Sequence, residues 1–337
     1  MKYVVMKSRD IRENLATEQY LMNNKNFDEP LVLFYIEGPC IIVGRNQNTL
    51  EEINHDFVKE NNITVTRRLS GGGAVYQDLG NLCFSFVVNS DDSNFGDFKS
   101  FTQPIIDALH QMGATSAEVS GRNDLLVDGK KFSGNAMYSK NGKTFSHGTI
   151  SYNVDLDVLT KALHVNEDKI KSKGIKSIRS RVTNLNSYLD SNYQGLTTEE
   201  FRDLLLPKLF EKNDISEIKK HEYVVTPEDQ VEINKLLDQY YKNWDWVYGK
   251  SPKFTLKQRK HFDMGTIDVR MNIANGMIND IKIFGDFFGS QSVSDIEEAL
   301  NGTKFETDDV SSVLDNFNLD DYFKGIDKQD ILKLVTP

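Results

Sequence analysis

Residues 67–80 read Arg-Arg-Leu-Ser-Gly-Gly-Gly-Ala-Val-Tyr-Gln-Asp-Leu-Gly, and the way this stretch is entered and left decides the fold class. Ahead of it, Ile63-Thr64-Val65-Thr66-Arg67 is rich in β-branched residues. Behind it, Leu82-Cys83-Phe84-Ser85-Phe86-Val87-Val88 is aromatic and β-branched. Both are strand compositions, so the glycines join strand to strand. Three successive residues without side chains permit close approach and unusual φ/ψ, so backbone N–H groups can converge on an anion while an arginine supplies a bidentate fork. A phosphate or a carboxylate fits such a loop. No Gly-Lys-Ser/Thr follows, and the G-x-G-x-x-G spacing of dinucleotide-binding turns is missing. A glycine run is also the composition of a plain flexible turn, so its neighbours must decide its meaning.

Working outward, helical spacing over 11–25 (Ile11, Leu15, Met22) predicts a helix, and 31–36 and 40–43 predict two buried strands parted by Gly38-Pro39. Thr102, Pro104 in the first turn and a stop at Gly113 predict another helix. From 124 to 153, Asp128-Gly129 and Asn141-Gly142 are type I′ turn pairs between strand-like runs, which predicts a three-stranded meander. Thr197 with Glu200 is a capping box opening a helix to about 212, and 228–244 predicts a second helix ending near Trp244-Asp245-Trp246. The pattern then restarts. Residues 254–288 predict strands with an Asn275-Gly276 turn, and 293–335 predict short helices, the first capped by Ser294 and Glu297. The expected organisation is a first domain over 1–247 and a small α+β domain over 250–337.

Composition narrows the function. The 337 residues are 39% hydrophobic and 27% charged, an ordinary globular balance, and the net charge of −10 argues against non-specific DNA or membrane-surface binding. No apolar run reaches transmembrane length and the N-terminus has no signal-peptide core, so a cytoplasmic protein is expected. Cys40 and Cys83, inside apolar stretches, read as buried thiols. Against the acidic background, 161–181 carries seven Lys/Arg and two acidic residues. An anion is expected there.

Two further clusters carry chemistry. Gly121-Arg122-Asn123-Asp124 precedes Lys130-Lys131-Phe132-Ser133-Gly134, and strand alternation predicts Lys131 and Ser133 on one face with Phe132 on the other. A strand-held lysine can neutralise a phosphoryl or acyl oxygen, and Asp124 can bind Mg2+ or orient that lysine. Ser146-His147-Gly148-Thr149 lies on the last strand of the meander, where His147 contacts substrate or packs structurally. The remaining histidines have no metal-ligand spacing.

Read in order, these clusters resemble the lipoate-protein ligases of the biotin/lipoate ligase superfamily. The resemblance is carried by 67–80, Asn81-Leu82-Cys83-Phe84, Gly121 to Leu125, Lys131 to Ala136, His147-Gly148-Thr149 and Lys173 to Val182, with Trp244-Asp245-Trp246 and 249–252 similar to the junction with an accessory domain. It implies an α+β fold: a catalytic domain with a mixed, largely antiparallel sheet and surrounding helices, then a small α+β accessory domain. It implies that lipoate and MgATP form lipoyl-AMP, and that the acyl group passes to a lysine of lipoyl domains of 2-oxoacid dehydrogenase E2 subunits or of glycine-cleavage H protein. By position it implies Lys131 as the catalytic residue. Contacts to ATP and lipoyl-AMP would come from Arg68, Ser70, Gly71, Gly72, Gly73, Ala74, Val75, Tyr76, Asn81, Asn123, Asp124, Ser133, Gly134, His147, Gly148 and Thr149. Lys173, Arg179 and Arg181 would belong to an adenylate-binding loop, Asp124 would be a metal contact, and Leu15, Val43 and Val75 would line an acyl tunnel. The competing expectations are an ATP-independent lipoyl or octanoyl transferase working through a cysteine thioester, and a non-catalytic acyl-adenylate or carrier-binding module. One transferase branch carries its cysteine where this chain reads His164 to Ile170, a stretch without one. A biotin ligase fits the glycine loop less well.

Overall fold

The computed structural model describes residues 1–89, 95–121, 123–163, 181–248 and 255–336, with Leu50 in backbone only. The chain forms two units, the first made of residues 1–42, 50–67 and 75–247, the second of 43–49, 68–74 and 248–337.

In the first unit the strands are β1 (Lys2–Val5), β2 (Leu31–Tyr35), β3 (Cys40–Val43, its last residue in the second unit), β4 (Thr64–Arg67), β5 (Val75–Gln77), β6 (Asn81–Asn89), β7 (Glu118–Ser120), β8 (Asp124–Val127), β9 (Lys130–Lys140) and β10 (Lys143–Ser151). Seven of them make a mixed sheet in the order β1-β2-β6-β10-β9-β8-β7, and β4-β3-β5 make a small second sheet. Strands β1 and β2 run parallel, while β2–β6, β6–β10, β10–β9, β9–β8, β8–β7 and β3–β5 are antiparallel. The meander forms as the turn pairs require, with φ of 48° and 73° at Asp128-Gly129 and 52° and 71° at Asn141-Gly142. Helices α1 (Ile11–Asn24), α2 (Thr49–Glu52, its first residue in the second unit), α3 (His55–Glu60), α4 (Phe98–Gln111), α5 (Leu156–Ala162), α6 (Thr198–Lys208), α7 (Pro227–Leu236) and α8 (Trp244–Val247) accompany these strands. Val32, Phe34, Phe84, Ile150 and Phe132 on one sheet face pack with Ile105 and Leu109 of α4 and Phe201 and Leu205 of α6. Each such fully buried side chain contributes roughly 1.5–3 kcal/mol.

Three boundaries differ from expectation. Helix α4 begins at Phe98, four residues ahead of Thr102, because Asp97 caps it by accepting from Ser100 N at 3.2 Å. Pro104 therefore lies inside the helix. The 228–244 helix ends at Leu236 and runs through a π-turn over Leu237–Tyr241, so Trp244-Asp245-Trp246 opens a separate short helix. The Thr197/Glu200 capping box is present, but its helix stops at Lys208.

The second unit contains an antiparallel sheet of β11 (Leu256–Phe262), β12 (Gly265–Ala274) and β13 (Met277–Gly285), with Asn275-Gly276 as the β12–β13 turn. Helices α9 (Ser294–Leu300), α10 (Thr307–Leu314), α11 (Leu319–Tyr322) and α12 (Lys328–Val335) cover it, burying Ile283, Phe287, Ile296, Leu314 and Phe323. Ser294 does not cap α9; it is the first helical residue, and Glu297 turns away to accept from Ile283 N at 2.8 Å. Among the described residues no helix is long and apolar enough to cross a membrane.

Candidate active site

The glycine loop leaves β4 at Arg67 and enters β5 at Val75. Its two arginines have different tasks. Arg67 donates from Nε to Trp246 O at 2.8 Å and from Nη2 to Val247 O at 3.0 Å, and burial pushes its pKa down to about 10. Within the second unit, Arg68 donates to Ser70 Oγ at 3.1 Å, to Gly71 O at 2.7 Å and to Gly73 O at 2.8 Å. The arginine fork expected to face an anion thus turns on the loop's own carbonyls. In a trans peptide the C=O and the following N–H point in opposite directions, so these bonds aim the Gly72 and Ala74 N–H groups away from the guanidinium. Gly72 has φ of +90°, and a side chain on Gly44 would collide with the Gly72 carbonyl. Gly73 differs, since a methyl group there meets nothing within 4 Å. Ser70 is buried, and Tyr76 is buried opposite Ile41 in β5, its phenol pushed up by burial and by Asp78.

The second cluster is built by a β-bulge. Leu125 pairs with Ser133 but Leu126 pairs with Lys131, leaving Phe132 as the extra residue of β9. Lys131 and Ser133 therefore lie on opposite faces, against the expectation from simple alternation. Phe132 drops into the core, and the Lys131 side chain crosses Gly134, where a methyl group would lie 3.1 Å from Nζ. The ammonium reaches Asp124 Oδ1 at 2.6 Å, with both side chains somewhat over a third exposed. Asn123 and Asn135 bond reciprocally, Asn123 Nδ2 to Asn135 O at 2.5 Å and Asn135 Nδ2 to Asn123 O at 3.1 Å, and Asn135 Nδ2 also reaches Ser133 Oγ at 3.2 Å. Thr149 Oγ1 accepts from Gly134 N at 3.2 Å. A side chain on Gly148 would strike Asn135 Oδ1 and the Phe84 ring, so this glycine is required by packing.

The outer edge of β9 is held too: Lys131 N donates to Arg181 O at 2.7 Å and Thr183 N to Lys131 O at 2.8 Å. Arg181 thus adjoins Lys131 through the backbone, while Arg122, Lys173 and Arg179 lie outside the described residues, as does 249–252.

On the face that carries Gly134 and Thr149, the β6–β10 register sets Asn81 opposite Ser151, Cys83 opposite Thr149 and Ser85 opposite His147. His147 Nδ1 lies 3.1 Å from both Glu18 oxygens, and both residues are buried. Glu18 escaped sequence reading, although a charged residue on the Ile11–Leu15–Met22 stripe of α1 was a usable signal. Asn81 Nδ2 donates to Cys83 Sγ at 3.3 Å, and that thiol lies 3.3 Å from Glu37 Oε1 and 3.2 Å from Gln77 Oε1. Burial pushes the Glu37 carboxyl up to about 8 and the Cys40 and Cys83 thiols well above their usual value. A thioester route needs an accessible thiolate, which neither cysteine offers. Leu15 and Val43 are buried and Val75 half-buried.

A mixed sheet that carries a bulge-turned lysine is followed in the chain by a small α+β unit. Residues 10–210 match the lipoyl protein ligase A/B catalytic domain, and residues 251–335 match the bacterial lipoate protein ligase C-terminus. The chain is 49% identical to lipoate-protein ligase LplJ of Bacillus subtilis over 326 residues, 97% of each. Of solved structures, LipL1 of P. falciparum in complex with lipoate has a TM-score of 0.78 at 28% identity, covering 98% of this chain and 97% of that one. A bi-partite lipoate protein ligase from Thermoplasma acidophilum, described with its E2 lipoyl domain, has a TM-score of 0.63 at 27% identity over 76% and 98% of the two chains. A lipoate-protein ligase A bound with ATP has a TM-score of 0.60 at 26% identity over 74% and 98%. The chain belongs to the lipoate-protein ligase family and is an enzyme of the ligase class.

Proposed function

We propose that the chain activates lipoate with ATP and then lipoylates a protein lysine, with residues 1–247 as its catalytic part and 250–337 as its accessory part. In the first step a lipoate carboxylate oxygen bonds to the α-phosphorus of ATP, the α–β bridging bond breaks and pyrophosphate leaves. In the second, the ε-amine of the acceptor attacks the acyl carbonyl, AMP departs with the electrons of the broken bond, and the amine proton passes to solvent. The acceptors are lipoyl domains of 2-oxoacid dehydrogenase E2 subunits and glycine-cleavage H protein. The ATP-bound and lipoyl-domain descriptions of the relatives support this reading.

The observation that carries it is Lys131. Attack of a carboxylate on a phosphate sets two anions against each other, and a fixed ammonium offsets that repulsion most where the charge develops. Lys131 is partly exposed, aimed by a bulge and steadied by Asp124, which suits it to the acyl oxygen and the α-phosphate. The backbone from Gly71 to Ala74, ordered by Arg68 and Ser70, is assigned to the nucleotide, and Val75, Tyr76, Asn81, Asn123, Ser133, Gly134, His147, Gly148 and Thr149 are assigned as contacts to ATP or the adenylate. Lys173, Arg179 and Arg181 are assigned as cationic contacts to the adenylate. Mg2+ neutralises phosphate charge when bound. Among the described residues, Asp124, whose Oδ1 meets Lys131, is the carboxylate that would contact the ion.

Lipoate-dependent ATP–pyrophosphate exchange without any acceptor tests the first step, with octanoate and biotin as parallel substrates. Lys131→Ala should reduce exchange at least about a hundredfold while leaving the thermal midpoint nearly unchanged, because its side chain contributes little to the core. Full exchange in that variant would remove Lys131 from the chemistry.

A further inference from the structure

Two of the three loop glycines are explained by what touches them. Within the second unit, a methyl group on Gly71 would lie 2.5 Å from Phe287 O and 3.3 Å from Phe288 Cδ1, and one on Gly72 would lie 3.0 Å from Phe288 Cζ. The Phe288 ring therefore rests directly on the Gly71-Gly72 backbone. It is presented by a braced turn. Phe287 is fully buried with its ring centroid 5.2 Å from that of Phe323, Asp286 Oδ1 accepts from Thr266 N at 2.6 Å, and Phe288 O accepts from Lys324 N at 2.9 Å. Asn46 O accepts from Gly285 N at 2.7 Å, tying the 43–49 segment to the same turn.

We propose that Phe288 is a positioning residue for adenylation: its ring fixes the Gly71-Gly72 backbone so that the Gly72 and Ala74 N–H groups keep the direction in which they receive ATP phosphate. Arg68 holds the loop by its carbonyls and Phe288 holds it by contact, leaving Gly73 as the open point of approach. This rests on the adenylation reading given above. Without the ring, the glycines regain the conformational freedom that three residues lacking side chains possess, and ordering them again is charged to nucleotide binding.

The test uses the full chain with Phe288→Ala and Phe288→Leu in the lipoate-dependent ATP–pyrophosphate exchange, measuring KM for ATP and for lipoate separately. KM for ATP should rise about tenfold in the alanine variant and about threefold in the leucine variant, which keeps part of the contact, while KM for lipoate stays within about twofold. Should the alanine variant not fold, the leucine variant decides alone. An unchanged KM for ATP in a folded variant overturns the proposal. So does an equal rise in both KM values, the mark of a general structural loss, and so does a fall in KM for ATP, expected if the ring obstructs the loop. Absence of exchange in the parent chain would remove the adenylation reading itself, and this proposal with it.

Discussion

Burial at Glu37 sets up a measurable pH dependence. Its Oε2 has no hydrogen-bond partner among the described residues, and desolvation raises the carboxyl from 4.5 to about 8. The folded chain thus keeps a proton that the unfolded chain has lost, so this group's contribution to stability is full below about pH 4.5, falls as pH rises, and is gone above about 8. The slope is at most about 1.4 kcal/mol per pH unit. Glu37→Gln should remove it, so urea midpoints at pH 5, 6.5 and 8 should decline less in the variant than in the parent; parallel declines would show that Glu37 does not titrate in this window. The sequence announces such residues unevenly. A lysine after a type I′ pair is by itself an ordinary surface charge, and Lys131 became a candidate through the family resemblance carried by its ordered company with Asp124 and His147. The orientation of Lys131 was not legible. Alternation counts residues, and a bulge adds one without leaving a mark in the apolar pattern; Phe132 is the extra residue and is buried.

At the scale of elements, local chemistry specified what local chemistry controls. Positive φ at Asp128-Gly129, Asn141-Gly142 and Asn275-Gly276 matches the residues that tolerate it, and the Thr197/Glu200 box closes reciprocally. Pro104 misled because the Asp97 cap and the buried Phe98 outweigh one lost helical hydrogen bond. The least legible element is the short strand-like pairing of 181–183 along Lys131, which depends on a neighbour more than fifty residues earlier in the chain. It couples the end of the basic segment to the lysine. Thr183→Pro deletes the N–H given to Lys131 O, a bond of about 0.5–1.5 kcal/mol. The variant should melt within a few degrees of the parent yet lose about tenfold in maximal exchange rate, because a small displacement of a reacting group is expensive. An unchanged rate in Thr183→Pro would show that Lys131 is fixed by the bulge and Asp124 alone.

For the whole molecule, the glycine loop belongs in sequence to the stretch between β4 and β5 but in packing to the second unit. No periodicity in 63–88 could reveal that, because three glycines carry no side chains whose pattern reports a partner; the partner is Phe287-Phe288, over two hundred residues away. The opening behaviour of the loop should follow its packing. Proteins open in cooperative blocks defined by contacts rather than by chain order. Hydrogen exchange on the full chain in mild denaturant should therefore release the amides of 43–49 and 68–74 together with those of β12 and β13, while β6 and β10, bonded on both sides within the seven-stranded sheet, remain protected. If the loop amides instead exchange with β4 and β5, strand continuity governs the loop. Phe288 would then be a passive neighbour, and its variants should leave the loop's exchange rates untouched. If they open with the second unit, Phe288→Leu should raise the exchange of 68–74 selectively, linking an aromatic ring near the end of β13 to the order of the nucleotide loop.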